Sequence, residues 1–278
     1  MTIQSPQHHG SAITNHHPVS AIVDDYHPVG DELDILLGAW RARLPVLLKG
    51  PTGCGKTKLV ESAARRLGLE LVTVSCHEDM LAADLVGRYL LEGSDTVWQD
   101  GPLTTAVRRG AMCYLDEIVE ARVDATVVIH SLADHRRQLF IDRLNEQLDA
   151  PDSFMLIVSY NPGYQTLLKD LKPSTRQRFV AVELDFAPPE LEQQIVKEQS
   201  GAPDEAVAAL VRLGQAVRHL NEPSMSEMVS TRALIAAARL HVSGLGLNRA
   251  ARSAIAAMLT DDATVTRSIA ELIDAYIS

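Results

Sequence analysis

Eight consecutive residues constrain this chain more than any other feature. Gly50-Pro51-Thr52-Gly53-Cys54-Gly55-Lys56-Thr57 matches G-x-x-x-x-G-K-[ST]. The motif follows the short apolar run Val46-Leu47-Leu48 and opens a helical pattern, Leu59, Val60, Ala63, Ala64 and Leu67, which Gly68 ends. A strand, a tight turn and a helix in that order aim successive backbone N–H groups and a helix N-terminus at phosphate. Glycines let the backbone wrap closely, Lys56 reaches the β and γ oxygens, and the Thr57 hydroxyl ligates Mg²⁺. All eight residues are therefore candidates for binding a nucleoside triphosphate.

The same alternation continues downstream. Apolar or β-branched runs recur at 71–74, 111–115, 154–160 and 179–184 with helix-like segments between them, the pattern of a five-stranded parallel sheet covered by helices. Two additions interrupt it. Residues 88–91 and 96–98 flank Glu92-Gly93-Ser94-Asp95 and predict a small hairpin, and a second insertion spans 135–152. After Ala187-Pro188-Pro189 the strand signal stops, and Ala- and Leu-rich segments predict helices near 190–199, 203–220, 230–243, 247–258 and 264–277. Residues 1–25, with His8, His9, His16 and His17, lack hydrophobic periodicity and are expected to form a mobile arm. The expected division is an arm over 1–25, an α/β nucleotide-binding core over 26–187 and a helical lid over 188–278.

Charge and cysteine content narrow the partners. The balance of 26 Lys and Arg against 36 Asp and Glu leaves a net charge of -10, which argues against a broad nucleic-acid footprint. No run approaches the roughly 20 apolar residues that a membrane span needs, so membrane insertion is not expected. Cys54, Cys76 and Cys113 form no CxxC pair and suggest neither a disulfide framework nor a zinc cage. With no secretory pattern at the N-terminus, a cytoplasmic location is expected.

Further residues carry chemistry because of where they fall. Asp116 and Glu117 end the third strand, and the carboxyl edge of a parallel sheet is where such groups meet a phosphate loop. Asp116 is expected to hold Mg²⁺ together with Thr57, and Glu117 to polarise an attacking water, which distinguishes an ATPase from a phosphotransferase that must exclude water. An Asp-Glu pair at a strand end is common in isolation; the upstream loop is what gives this one its reading. Asn161, after the fourth strand, can orient that water or simply form an Asn-Pro turn. Arg176 and Arg178, just before the fifth strand, are candidates for a transition-state arginine supplied to a neighbouring subunit, or are solvated surface charges. Arg232, at the start of a lid helix, can reach the γ-phosphate. Trp98 reads as a packed anchor or a gripping side chain, and Arg136-Arg137 as pore-lining or solvated charge. The chain has neither an Asn-Lys-x-Asp guanine motif nor an LSGGQ-like segment, so a GTPase and an ABC-type ATPase are disfavoured.

Longer blocks narrow the assignment: LKGPTGCGKT (48–57), SCHED (75–79), DLVGRY (84–89), WQDGPL (98–103), CYLDEIVEAR (113–122) and SYNPGYQTLLKDLKPSTRQRF (159–179). With the Asp-Glu pair, the post-strand Asn and the two arginine sites, the chain resembles the CbbQ/NirQ/NorQ group within the MoxR branch of AAA+ ATPases. The likeness runs from Tyr26 to the lid. It implies a P-loop AAA+ fold: a three-layer αβα core with a five-stranded parallel sheet, β-hairpin insertions and an all-α lid. By this resemblance Asn161 is sensor 1, Arg232 is sensor 2, and Arg178 is the finger, with Arg176 its rival. The cofactors implied are ATP and Mg²⁺. The group implies a homo-oligomeric ring, a hexamer, working with a von Willebrand A domain adaptor of the CbbO kind. The implied targets are inhibited Rubisco, to which general similarity inclines, or nitric oxide reductase, whose maturation or metal insertion such motors serve. From the residues alone, a nucleotide-controlled scaffold that needs no hydrolysis stays open.

Overall fold

The computed structural model describes residues 26–161, 173–220 and 228–277. The arm expected over 1–25, with its four histidines, and the stretch 162–172 inside the block 159–179 lie outside the described residues. In chain order the elements are α1 (Glu32–Arg41), β1 (Val46–Lys49), α2 (Lys56–Leu67), β2 (Leu71–Ser75), α3 (Ala82–Val86), β3 (Gly87–Glu92), β4 (Asp95–Asp100), α4 (Pro102–Arg109) and β5 (Met112–Asp116). They continue as α5 (Val123–Val128), β6 (Gln138–Ile141), β7 (Glu146–Asp149), β8 (Met155–Tyr160), α6 (Pro173–Arg176) and β9 (Val180–Glu183). Among the described residues every further element is helical: α7 (Pro189–Ser200), α8 (Asp204–Arg218), α9 (Thr231–Val242), α10 (Leu247–Ala251), α11 (Ala257–Leu259) and α12 (Ala263–Tyr276).

Five strands form one parallel sheet in the order β2-β5-β8-β1-β9, so that the strand preceding the glycine-rich loop lies between β8 and β9. The period of two in side-chain direction sorts the sheet residues into two cores. Leu47, Cys113, Leu115, Leu156 and Val158 pack against Leu85, Leu103, Val107 and Ile129 on one face. Val46, Leu48, Met112, Tyr114, Met155 and Ile157 pack against Leu33 and Leu36 of α1 and Leu59, Val60 and Ala63 of α2 on the other. Burial on both faces is why these strands read as continuous apolar runs. The result is the three-layer αβα core. One element, α1, has no counterpart among the expected ones, although Leu33, Leu36, Leu37 and Trp40 fall at helical spacing and Leu33, Leu36 and Ala39 are buried against the sheet.

Both insertions are antiparallel hairpins, β3 with β4 and β6 with β7. Trp98 is a packed anchor: its ring meets Tyr89 edge-on at 5.2 Å and its Nε1 donates to Asp100 at 2.7 Å. The two arginines of the pair differ: Arg136 stays a surface charge, whereas Arg137 is half-enclosed by backbone carbonyls. Arg136 is ion-paired with Asp134, and Arg137 donates to the carbonyls of Arg43, Pro151 and Phe154, tying the second hairpin to the sheet.

The helices after β9 have a core of their own, centred on Val196, Leu210, Leu213, Val217, Leu234, Ile255, Ile269 and Ile273. Small residues bring the helices close together; a Cβ on Gly214 would lie 3.1 Å from the Leu234 side chain. The helix expected near 247–258 is interrupted by a π turn at Arg252–Ala256. Among the described residues no helix is long and apolar enough to cross a membrane.

Candidate active site

Four of the expected residues meet at the carboxyl ends of β1, β5 and β8. The Lys56 ammonium is buried and donates to the carbonyls of Gly50 at 2.8 Å and Pro51 at 2.9 Å, and to Oδ1 of Asn161 at 2.6 Å. The amide nitrogen of Asn161 donates in turn to Oε1 of Glu117 at 2.9 Å and to the Thr52 hydroxyl at 3.2 Å. Phosphate loop, acidic pair and post-strand Asn are therefore one hydrogen-bonded chain. Burial pushes the Lys56 ammonium below its ordinary range; the neighbouring Arg232 charge adds to this, and Cys54, Asp116 and Glu117 oppose it. An anion beside Lys56 would relieve that cost.

The loop geometry depends on glycine at two close approaches. A Cβ on Gly50 would lie 2.5 Å from the Leu184 carbonyl oxygen. Gly53 has a left-handed backbone, with φ of 73°, and a Cβ there would lie 2.6 Å from Cβ of Ser230, immediately before α9. The second approach is what brings Arg232 over the loop. Cys54 sits within the loop and its thiol is pushed up mainly by burial.

Asp116 is held by neighbours that share its face of the sheet. Tyr114 lies two residues earlier on β5 and donates its hydroxyl to Oδ1 of Asp116 at 2.7 Å; the Ser159 hydroxyl from β8 also donates to that oxygen. Ser159 accepts from the backbone N–H of Glu117 at 3.1 Å, and the Tyr114 and Ser159 hydroxyls lie 3.2 Å apart. Burial first, and then the Asp116 charge, push the Tyr114 phenol far up. Glu117 has a left-handed φ of 57°, a conformation uncommon for Glu, which turns its carboxylate toward Asn161.

Lys56, Asp116, Glu117 and Asn161 open onto a cavity of about 840 Å³. Thr52 to Thr57, Asp116, Glu117 and Asn161 form one wall, and Arg232 joins them from α9. The other walls are Tyr26, His27, Val29, Gly30 and Ile35 before and within α1, the end of β9, Ile195 of α7, and Ile235 and Arg239 of α9. The turn before α1 is built on Glu32, which accepts from the Tyr26 hydroxyl at 2.6 Å and from the N–H groups of Val29 and Gly30, each at 2.8 Å. His27 and Glu198 are 2.6 Å apart and join this turn to α7. Apolar groups at one end and cationic and hydroxyl groups at the other suit a nucleotide. Thr57 and Asp116 are hard oxygen donors of the kind Mg²⁺ takes, so the residues fit both ligands.

The two arginines before β9 are elsewhere. Arg178 donates to the His130 carbonyl at 3.0 Å, and neither it nor Arg176 lines the cavity of its own chain. The sequence reading misses Tyr114 and Ser159 as supports, and Tyr26, His27, Ile195, Ile235 and Arg239 as walls. Ser159 carries one signal: a hydroxyl inside an otherwise apolar strand, two residues before Asn161 and hence on its face.

Comparison with known proteins agrees with this architecture. Residues 45–179 match the AAA domain (dynein-related subfamily) family, and residues 192–276 match the CbbQ/NirQ/NorQ C-terminal family. The denitrification regulatory protein NirQ of Pseudomonas aeruginosa is 53% identical over 91% of this chain and 97% of its own length. Protein NorQ of Paracoccus denitrificans is 56% identical, covering 89% of this chain and 92% of its own. Protein CbbQ of Hydrogenophilus thermoluteolus is 51% identical, covering 85% and 89%. Among solved structures, a point mutant of RuvB from Thermotoga maritima shares the fold, with a TM-score of 0.52 at 18% identity over 88% of this chain and 69% of that one.

Proposed function

This chain belongs to the CbbQ/NirQ/NorQ family of AAA+ ATPases, and from that premise we propose that it is a ring-forming motor that couples hydrolysis to the remodelling of a target enzyme. Its reaction is that of an ATPase, ATP and water giving ADP and phosphate. The observation that carries the reading is the chain Lys56, Asn161, Glu117, with Arg232 facing it across the same cavity.

In this reading the N–H groups of residues 50–57 and the Lys56 ammonium bind the phosphates. The Thr57 hydroxyl and the Asp116 carboxylate would hold Mg²⁺, which would supply a positive charge to offset that of the phosphates. Glu117 polarises the water that attacks the γ-phosphorus, and Asn161 orients it and senses the γ-phosphate. Arg232 engages the γ-phosphate from the helical side, so that residues 188–278 act as a lid on a body formed by 26–187. Arg178, with Arg176 as its rival, serves the neighbouring protomer; their position off the lining of their own cavity supports supply in trans. Turnover then requires a closed assembly, a hexamer, in the cytoplasm.

The motor acts with a von Willebrand A domain adaptor of the CbbO kind on Rubisco blocked by sugar phosphates. A second reading, maturation of or metal insertion into nitric oxide reductase, has its own support: the relative named for denitrification and NorQ match this chain at 53% and 56% identity, against 51% for CbbQ. The test is ATP-dependent recovery of sugar-phosphate-blocked Rubisco by the purified chain with its adaptor. Recovery supports the first target. No recovery with ATPase intact, together with ATP-dependent activation of nitric oxide reductase, selects the second. A Glu117→Gln protein that still supported the partner would instead make the chain a nucleotide-controlled scaffold.

A further inference from the structure

Among the described residues the helical region contains one wholly buried carboxylate, Glu192 on α7, and it lies outside the cavity lining. A buried charge is costly unless its hydrogen bonds are made, and such pairs contribute geometric specificity more dependably than stability. Glu192 takes both guanidinium nitrogens of Arg218, at 2.7 and 2.8 Å, and the Thr231 hydroxyl at 2.6 Å. Arg218 is itself only 8% exposed; its Nε donates to the Val229 carbonyl at 2.7 Å, and its Cζ lies 3.9 Å from the centroid of the Phe186 ring. Phe186 belongs to the connection that leaves β9.

These contacts converge on one short stretch of backbone. Val229 and Thr231 are fixed from the side of α7 and α8, while Ser230 between them rests against Gly53 and caps α9 by accepting from the N–H of Ala233 at 3.2 Å. Arg232 is the next residue. A two-pronged guanidinium–carboxylate contact sets orientation as well as distance, so α7, α8 and the first turn of α9 cannot shift against one another while it is intact.

We propose that Glu192 and Arg218, with Thr231, are positioning residues for the ATPase: their buried network locks the first turn of α9 in the register that delivers Arg232 to the phosphate end of the cavity, and through Phe186 ties that register to the strand connection. The inference rests on the reading of Arg232 given above. It requires that breaking the network act through Arg232 and not through general loosening of the nucleotide site.

The test is a double-mutant cycle on the full chain in its assembled form, read by kcat, KM and the affinity for a fluorescent ADP analogue, which has no γ-phosphate. Arg232→Ala is expected to lower kcat by about 10² to 10³, the scale of losing one preorganised charge donor. Glu192→Gln, which keeps the shape and removes the charge at a residue outside the cavity lining, is expected to lower kcat severalfold while ADP affinity changes by less than about twofold. Glu192→Gln/Arg232→Ala is expected to match Arg232→Ala within about twofold, since residues acting as a unit are not additive. If Glu192→Gln does not fold, Arg218→Lys, also outside the cavity lining, is read by the same three quantities. Independent, multiplicative losses, or an ADP affinity that falls in step with kcat, overturn the positioning role and leave the reading of Arg232 standing. An Arg232→Ala protein with unchanged kcat overturns both.

Discussion

The sheet core and the helical region each bury a small set of charged and polar groups, and they use them in opposite ways. At the sheet edge Lys56, Asn161, Glu117 and Asp116 are bonded mainly to neutral partners and all face the cavity, so a phosphate or a metal ion can take over those contacts. In the helical region Glu192, Arg218 and Thr231 are bonded to one another, and the two members of the ion pair do not line the cavity. The contrast separates a site from a support: polar groups aimed into an open cavity exchange partners, whereas a buried ion pair with its hydrogen bonds made sets geometry.

The contrast can be tested from its strongest consequence downward. If Arg178 serves a neighbour, Arg178→Ala lowers steady-state turnover by about 10³ or more while each chain still binds nucleotide, because such an arginine stabilises only transition-state charge. Mixing this variant with Glu117→Gln protein should then restore part of the ATPase activity in mixed assemblies, and no recovery would argue against supply in trans. Glu117→Gln alone is expected to lower turnover by about 10² to 10⁴ with nucleotide retained, the range for losing a general base. Normal hydrolysis would remove Glu117 from the chemistry.

Arg218→Ala tests the support side. It leaves Glu192 buried without its cation and is expected to cost about 3–5 kcal/mol in denaturant unfolding, while Glu192→Leu/Arg218→Met should be much closer to neutral. Equal destabilisation by both would mean that the site is packing-limited. Ser159→Ala removes a group that holds both Asp116 and the Glu117 backbone, and should raise the Mg²⁺ concentration needed for half-maximal turnover by about 10-fold to 100-fold. An unchanged Mg²⁺ requirement would make Ser159 a core residue only. The smallest effect is expected at the far end of the helical region. Asp262 caps α12 by accepting from the N–H groups of Thr264 and Val265, at 2.7 and 3.1 Å, and Asp262→Ala should cost about 1 kcal/mol with no change in nucleotide affinity.

The legible parts of this molecule are those whose geometry is local. The loop from Gly50 to Thr57 can be read because strand, turn and helix follow without interruption, and Asp116 because it ends the apolar run of β5. The three inner strands β1, β5 and β8 are legible because both faces of the sheet are covered there, which makes each one a continuous apolar segment, whereas in the edge strands β2 and β9 β-branched residues alternate with exposed positions. α1 carries a helical stripe at Leu33, Leu36, Leu37 and Trp40, so its presence is legible in the sequence too, while its packing against the sheet is not. Tyr114 gives no sign of its role within the apolar run of β5, although its hydroxyl is one of the supports of Asp116.

Local motif and period thus determined which candidate phosphate-binding groups this protein carries, and in what order they fall along sheet and helix. Tertiary structure alone decided which distant residues complete the site. Tyr26, Ile195 and Arg239 reach one cavity from segments far apart in the chain, and Glu192 finds Arg218 across 26 positions and Thr231 across 39. The physical reason is that a backbone loop is specified by neighbours in sequence, whereas convergence of side chains depends on how layers pack, and no short stretch of residues encodes that.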